Sequence, residues 1–203
     1  MEPPTLPDQI AGETYLDETT FTGAMADGDV LRGVEFDRCT FDGCVVAGAV
    51  LTDCTFSECH FTGCDLSRAV VTDSTFRDCT FADCVMMGVN FAAAHIGSLA
   101  ASFQFERCRM DFTSFRGLSL TDCVWRDCRL TEADFGEADL RRADFAGSDL
   151  SAADFSGADL RSAAFVGAHN YVFDVRSVQI KGARLDVWGA ARLLDVFGVE
   201  IVS

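Results

Sequence analysis

Ala-Asp-Leu-Arg-Arg (138–142), Ala-Asp-Phe-Ala-Gly (143–147), Ser-Asp-Leu-Ser-Ala (148–152), Ala-Asp-Phe-Ser-Gly (153–157) and Ala-Asp-Leu-Arg-Ser (158–162) follow one another without a gap. The third residue of each is Leu or Phe, so an apolar side chain recurs every five residues. Followed outward, the beat reaches back through Trp125, Leu120, Phe115, Met110 and Phe105. After a one-residue slip it continues through Ile96, Phe91, Met86, Phe81, Phe76 and on to Leu16; forward it runs to Leu185, and Asn170 is its one polar centre. A period of five matches neither the 3.6 of a helix nor the 2.0 of a flat strand, so the chain is a repeat architecture.

The other positions of each unit say what shape the repeat takes. Two residues before the centre stands a small residue, Ala, Cys, Ser, Thr or Val, in 30 of 34 units. Positions two apart on an extended backbone face the same side, so each unit points one small and one large side chain inward. The remaining residues must turn a corner, and 12 of the 17 glycines lie two after the centre, where tight corners need them. Three-residue sides joined by corners form a coil, and four such units close one square turn. The columns agree, since Phe21, Phe41, Phe61 and Phe81 stack, as do Leu120, Leu140, Leu160 and Ile180. Like stacks on like, as in-register ladders require. The fold expected is all-β, a four-sided solenoid with a dry Phe and Leu core, each coil touching mainly its neighbours.

These five units resemble the pentapeptide-repeat family, and the resemblance covers nearly the whole chain. It implies a right-handed quadrilateral parallel β-helix. A narrower resemblance lies in Leu-Leu-Asp-Val-Phe-Gly-Val-Glu-Ile-Val (193–202), Ala-His-Asn-Tyr-Val-Phe-Asp (168–174), Met-Met-Gly-Val-Asn-Phe (86–91) and Phe-Glu-Arg-Cys (105–108). These segments are similar to the topoisomerase-protecting branch: the Qnr quinolone-resistance proteins, a mycobacterial fluoroquinolone-resistance homologue, and immunity proteins against albicidin and microcin-type gyrase poisons. The immunity proteins are the nearest in appearance. The branch implies DNA gyrase, or the related topoisomerase IV, as partner and antibiotic resistance or self-immunity as the outcome, by occupation of the enzyme's DNA-contacting surface or by binding that destabilises the drug-stalled cleavage complex.

At 203 residues the chain is expected to form one domain in three parts: a flexible lead over 1–14, which holds Pro3, Pro4 and Pro7; the repeat over 15–185, with a slip at 92–104; and a cap over 186–203. The slip leaves one residue missing from the beat, and a kink or small bulged loop is expected there between two halves of the solenoid. In the cap, residues 187–197 read as a short amphipathic helix. The resemblance adds dimerisation through it, with Val187, Trp188, Ala191, Leu194 and Phe197 at the interface and a C2 homodimer joined at the C-terminal ends. The lead has neither a basic n-region nor a long apolar run, so no signal peptide and no membrane span are read, and the expected location is the cytoplasm.

All ten cysteines, Cys39 to Cys128, fall in the small inward slot and are expected to pack as small hydrophobes rather than form disulfides or bind metal. His60, His95 and His169 fall in an outward slot and are dispersed, and Trp125 sits in a core slot. No nucleophile–base pair and no phosphate-binding glycine motif is present, so neither an enzyme nor a cofactor is expected.

Charge is the remaining signal. The chain has 32 acidic and 16 basic residues, net −16. Asp134, Asp139, Asp144, Asp149, Asp154 and Asp159 precede six consecutive centres, and Asp53, Glu58, Asp73, Asp78 and Asp83 stand at corners of the first half. These eleven are the candidate partner-binding surface. Sixteen net charges on a rod of roughly 41 Å is one per about 2.6 Å, against one per about 1.7 Å on duplex DNA. Such a rod is built to occupy a basic groove made for DNA, without binding nucleic acid itself. Two readings of the ladder stand side by side. Acidic surfaces also serve solubility, and Asp before the centre is the family's own structural habit. The charge is uneven: residues 1–104 carry 16 acids and 4 bases, while residues 105–203 carry 16 acids and 12 bases. The alternative function is a structural or scaffolding pentapeptide-repeat protein with a non-topoisomerase partner.

Overall fold

A computed structural model describes residues 5–10, 12–96, 103–195 and 197–199. Short strands form at many of the outward–inward–outward triplets, as in Glu35–Asp37, Thr55–Ser57 and Thr75–Arg77, each with its central Phe buried. Every strand pairs in parallel. Tyr15–Asp17 pairs with Glu35–Asp37, which pairs with Thr55–Ser57, and the next sheet runs from Thr20–Phe21 to Val124–Arg126. The register is four units per coil, with Phe36 against Phe56 and Phe41 against Phe61. Elsewhere the ladder thins to single bridges, such as Ser114 with Asp134 and Asp139 with Asp159. The result is the expected four-sided parallel β-helix with one short C-terminal helix.

Rings stack along the axis and meet edge-on across it. Phe41 and Phe61 lie 4.6 Å apart at 5°, and Trp125 lies 5.0 Å from Phe145 at 7°. Around the inside, Phe135 meets Phe145 at 83°. Both geometries suit the aromatic quadrupole, so one packing scheme repeats up the rod. The small inward slot closes the corners, and all ten cysteines are buried there.

The slip has a different form from the one expected. Phe81 pairs with Phe105, and bridges join Val85 to Arg109 and Asn90 to Ser114. The coil across the slip is therefore longer than its neighbours by four positions, an addition rather than the loss of one, and three faces keep their columns. The fourth face breaks: His95–Ile96 pairs back to Thr75–Phe76, and bridging resumes at Ser119 with Asp139. Of the expected loop, residues 97–102 lie outside the described residues.

Two centres also shift. Met25, not Ala26, is buried, and Tyr171 is buried beside an exposed Asn170. The lead is a correction as well. Its residues Leu6–Ile10 form a one-turn helix, α1, whose Leu6 and Ile10 are buried and whose Thr5 caps through Asp8. Gln9 donates to the Thr22 carbonyl, so α1 covers the first coil instead of hanging loose. Residues 1–4 lie outside the described residues. At the other end α2 (Val187–Asp195) follows the last coil, with Leu193 buried. No helix among the described residues is long and apolar enough to cross a membrane.

Candidate partner-binding surface

At most corners of the rod the residue two after the centre adopts positive φ whether or not it is glycine. Asp53, Glu58, Asp73, Asp78 and Asp83 all do so, with φ between 50° and 59°. Asp tolerates this region better than most residues, though it costs on the order of 1 kcal/mol. The corner N–H is tied to the next coil, as in Glu58 N–H to the Arg77 carbonyl at 2.8 Å. This geometry sets the five carboxylates on the edges of the rod. Arg32 pairs with Asp53 at 2.8 Å and Arg107 with Asp83 at 2.8 Å, and the His95 Nε2 lies 3.6 Å from Asp73. Hydrogen bonding to Arg107 holds the Asp83 carboxyl below its ordinary range.

The aspartates of the second half work differently. The Oδ1 of each accepts the backbone N–H two residues on: Gly136 for Asp134, Arg141 for Asp139, Ala146 for Asp144, Ser151 for Asp149, Ser156 for Asp154 and Arg161 for Asp159. This is the Asx turn, which makes the side chain part of the corner. Most are also neutralised. Arg116 alone spans Asp134, Glu137 and Asp154 at 2.9, 3.0 and 3.1 Å. Arg126 pairs with Asp144, and Arg141 and Arg161 with Asp139 and Asp159. Hydrogen bonds from Arg141 and Arg161 hold the carboxyls of Asp139 and Asp159 low.

The ladder is also not a stripe. Bridges put Asp134 with Asp154 and Asp139 with Asp159, while Asp144 and Asp149 lie in two other columns, so six consecutive units wind around four faces. The arginine partners escaped the sequence reading because they act at coil spacing: Arg116 and Glu137 are 21 positions apart, Arg142 and Asp122 are 20 apart at 2.6 Å. Reading the chain one coil at a time would have exposed them.

The first half carries the excess. Its arginines are Arg32, Arg38, Arg68 and Arg77. Arg38 is occupied by Asp17, Glu18 and Asp37 at 2.5, 3.2 and 2.6 Å. Glu35 and Asp42 flank Phe36 and Phe41 on open strand faces, and Glu58 is exposed at its corner. The uncompensated charge therefore lies on the first coils.

The C-terminal end is apolar outside. Val187 is 81% exposed and Trp188 84%, Leu194 and Phe197 are exposed, and Ala191 is half-buried. A groove of about 280 Å³ between α2 and the last coil is lined by Asn170, Tyr171, Asp186 and Arg192. Burial pushes the Tyr171 hydroxyl up to about 12. A Cβ on Gly189 would collide with that hydroxyl, which fixes how closely α2 can sit. No group of three or more metal-ligating side chains occurs among the described residues. An apolar void of about 20 Å³ among Leu31, Phe41 and Phe61 interrupts the packing of the first coils.

Comparisons with known proteins fit this architecture. The model of the pentapeptide repeat region matches residues 100–169, and a model of nine pentapeptide-repeat copies matches 9–70 and 51–96. No curated protein matches the chain. Among solved structures, a trypsin-treated form of QnrB1, a plasmid-mediated fluoroquinolone resistance protein, is 21% identical, covering 93% of this chain and 100% of that one at a TM-score of 0.55. HetL, a pentapeptide-repeat protein involved in heterocyst differentiation regulation in the cyanobacterium Nostoc, is 20% identical over 88% of this chain and 90% of its own, at a TM-score of 0.44. Identities this low carry the fold and no more. With a beat of five, coils of four units and matched models along both halves of the rod, the chain belongs to the pentapeptide-repeat family.

Proposed function

We propose that this protein is a non-enzymatic, DNA-mimicking binder of DNA gyrase, or of the related topoisomerase IV, and that it protects the enzyme from a poison in the bacterial cytoplasm. The observation that carries the reading is the uncompensated carboxylate on the first coils of a stiff, narrow rod. A basic groove shaped for a duplex attracts such a surface through the same field that it presents to DNA. The docking surface is accordingly the first half, where Glu35, Asp42 and Glu58 carry the exposed charge and Asp53, Asp73, Asp78 and Asp83 stand on the neighbouring edges, Asp53 and Asp83 in ion pairs with Arg32 and Arg107. The aspartates from Asp134 to Asp159 hold the corners instead. The exposed face of α2 joins two copies about a two-fold axis, doubling the length of the rod.

A supercoiling assay with gyrase and albicidin, a microcin-type toxin or a fluoroquinolone tests the reading. Rescue of supercoiling at near-stoichiometric protein is expected. No rescue at any ratio, with a pull-down enriching a different protein, would assign the chain a scaffolding role. Light scattering at micromolar concentration should return the mass of a dimer, and a monomer would remove the two-fold joint.

A further inference from the structure

Asn170, the one polar centre of the beat, displaces the inward place by one residue at the end of the rod. Tyr171 turns inward instead, its ring packed 5.0 Å from Phe165 and 6.0 Å from Phe173, while His169 and Asn170 face out. The Tyr171 hydroxyl then ends beneath α2, beside Gly189. It is buried and has no hydrogen-bond partner. Native folds rarely leave a buried donor unpaired, because the group loses its water and gains nothing. Gly189 and Arg192 stand three positions apart on α2 and so share a face. Hydroxyl and guanidinium therefore serve one place, the groove of about 280 Å³ between α2 and the last coil.

The lining has an open positive charge. Arg116, Arg126, Arg141, Arg142 and Arg161 each reach a carboxylate at 2.5 to 2.9 Å. Arg192 reaches none among the described residues, and its Nη1 donates only to the Asn170 Oδ1, at 3.1 Å. The groove's own carboxylate, Asp186, is already engaged by the Gly189 N–H at 2.7 Å and the Gly167 N–H at 3.3 Å. The walls suit a flat apolar body, with the Trp188 indole on one side and bare backbone at Gly167 and Gly189. We propose that this groove is a binding site for a planar aromatic carboxylate.

In the bound state the carboxylate pairs with the open edge of the Arg192 guanidinium, whose planar fork matches it, and accepts the Tyr171 hydroxyl. The ring lies along α2 against Trp188. A few convergent polar groups in an apolar groove of this size are what a small ligand requires. Within α2 only Gly189 and Leu193 are buried, so the helix lifts readily enough to uncover the hydroxyl. Every group belongs to one chain, so the site does not depend on the two-fold joint.

Titration of the full chain with 2-naphthoate, followed by the indole N–H resonances in nitrogen-15 NMR, tests the site, with 2-naphthamide and 2-naphthylmethylamine in parallel. The chain has two tryptophans, and Trp125 is buried in the core, so the resonance of exposed Trp188 reports the groove. A saturable shift of Trp188 with Trp125 unmoved is expected, at a Kd of about 100 μM for so small a ligand. The amide and the amine should bind about tenfold more weakly or not at all. Arg192→Gln, at an exposed position, should weaken the acid about tenfold and leave the amide unchanged. Tyr171→Phe should weaken the acid several-fold while the urea midpoint of the free protein holds or rises, because the hydroxyl it removes is unpaired there. No saturable shift, equal affinity for acid and amide, unchanged affinity in either variant, or a lowered midpoint for Tyr171→Phe would overturn the proposal.

Discussion

Replacing Asp159 separates the structural work of the second-half aspartates from their charge. Its Oδ1 accepts the Arg161 backbone N–H at 3.2 Å, and its carboxylate pairs with the Arg161 guanidinium at 2.5 Å, the Asp159 side chain being 15% exposed. Asp159→Asn keeps an oxygen for the corner N–H and removes only the charge, which for a pair whose guanidinium is 46% exposed costs about 0.5 kcal/mol. Asp159→Ala also removes the acceptor, adding about 1 kcal/mol. With a urea slope of about 2 kcal/mol/M, the alanine variant should lose about 0.7 M in midpoint and the asparagine variant about a third of that. Urea unfolding followed by circular dichroism measures both. The pH dependence has a fixed sign. Arg161 depresses the folded-state pKa of Asp159, so the charge stabilises above the unfolded carboxylate value of about 3.9 and the stabilisation is lost as pH falls through the depressed folded value. The gap between wild type and Asp159→Asn should therefore close in acid. Equal losses for the two variants at pH 7 would refute the corner role.

Other expectations follow from the same geometry. Combined Glu35→Gln, Asp42→Asn and Glu58→Gln should weaken gyrase protection several-fold and flatten its salt dependence, whereas Asp159→Asn should leave protection unchanged; the reverse ranking in the supercoiling assay would move the docking surface to the second half. Phe145→Ala empties a site packed by Trp125, Phe165, Phe135 and Phe155 and should cost about 3–5 kcal/mol in denaturant unfolding. Trp188→Glu should yield a monomer by light scattering with the β spectrum unchanged. Gly189→Ala should dislodge α2 from Tyr171 and lower the dimer fraction in the same measurement.

The beat of five made the coil, the inward slots and the core legible, because burial on a solenoid depends only on position within the unit. Cys64, Trp125 and Phe145 could be placed without coordinates for that reason. Where the beat fails, position stops predicting burial. Met25 replaces Ala26, Tyr171 replaces Asn170, and α1 seats Leu6 and Ile10 against the first coil. The enlarged coil between Phe81 and Phe105 was misread because an addition of four and a deletion of one leave the same phase in a period of five.

From sequence alone came the parallel rod, its dry core and its net acidity, since each depends on composition and on spacing along the chain. Which carboxylates remain available to a partner was decided only in three dimensions. Asp134 and Asp154 meet Arg116 because coils bring residues 18 and 38 positions apart into contact, and the same winding scatters six consecutive aspartates over four faces. Charge can be counted along a chain, but its compensation depends on distances across the coils.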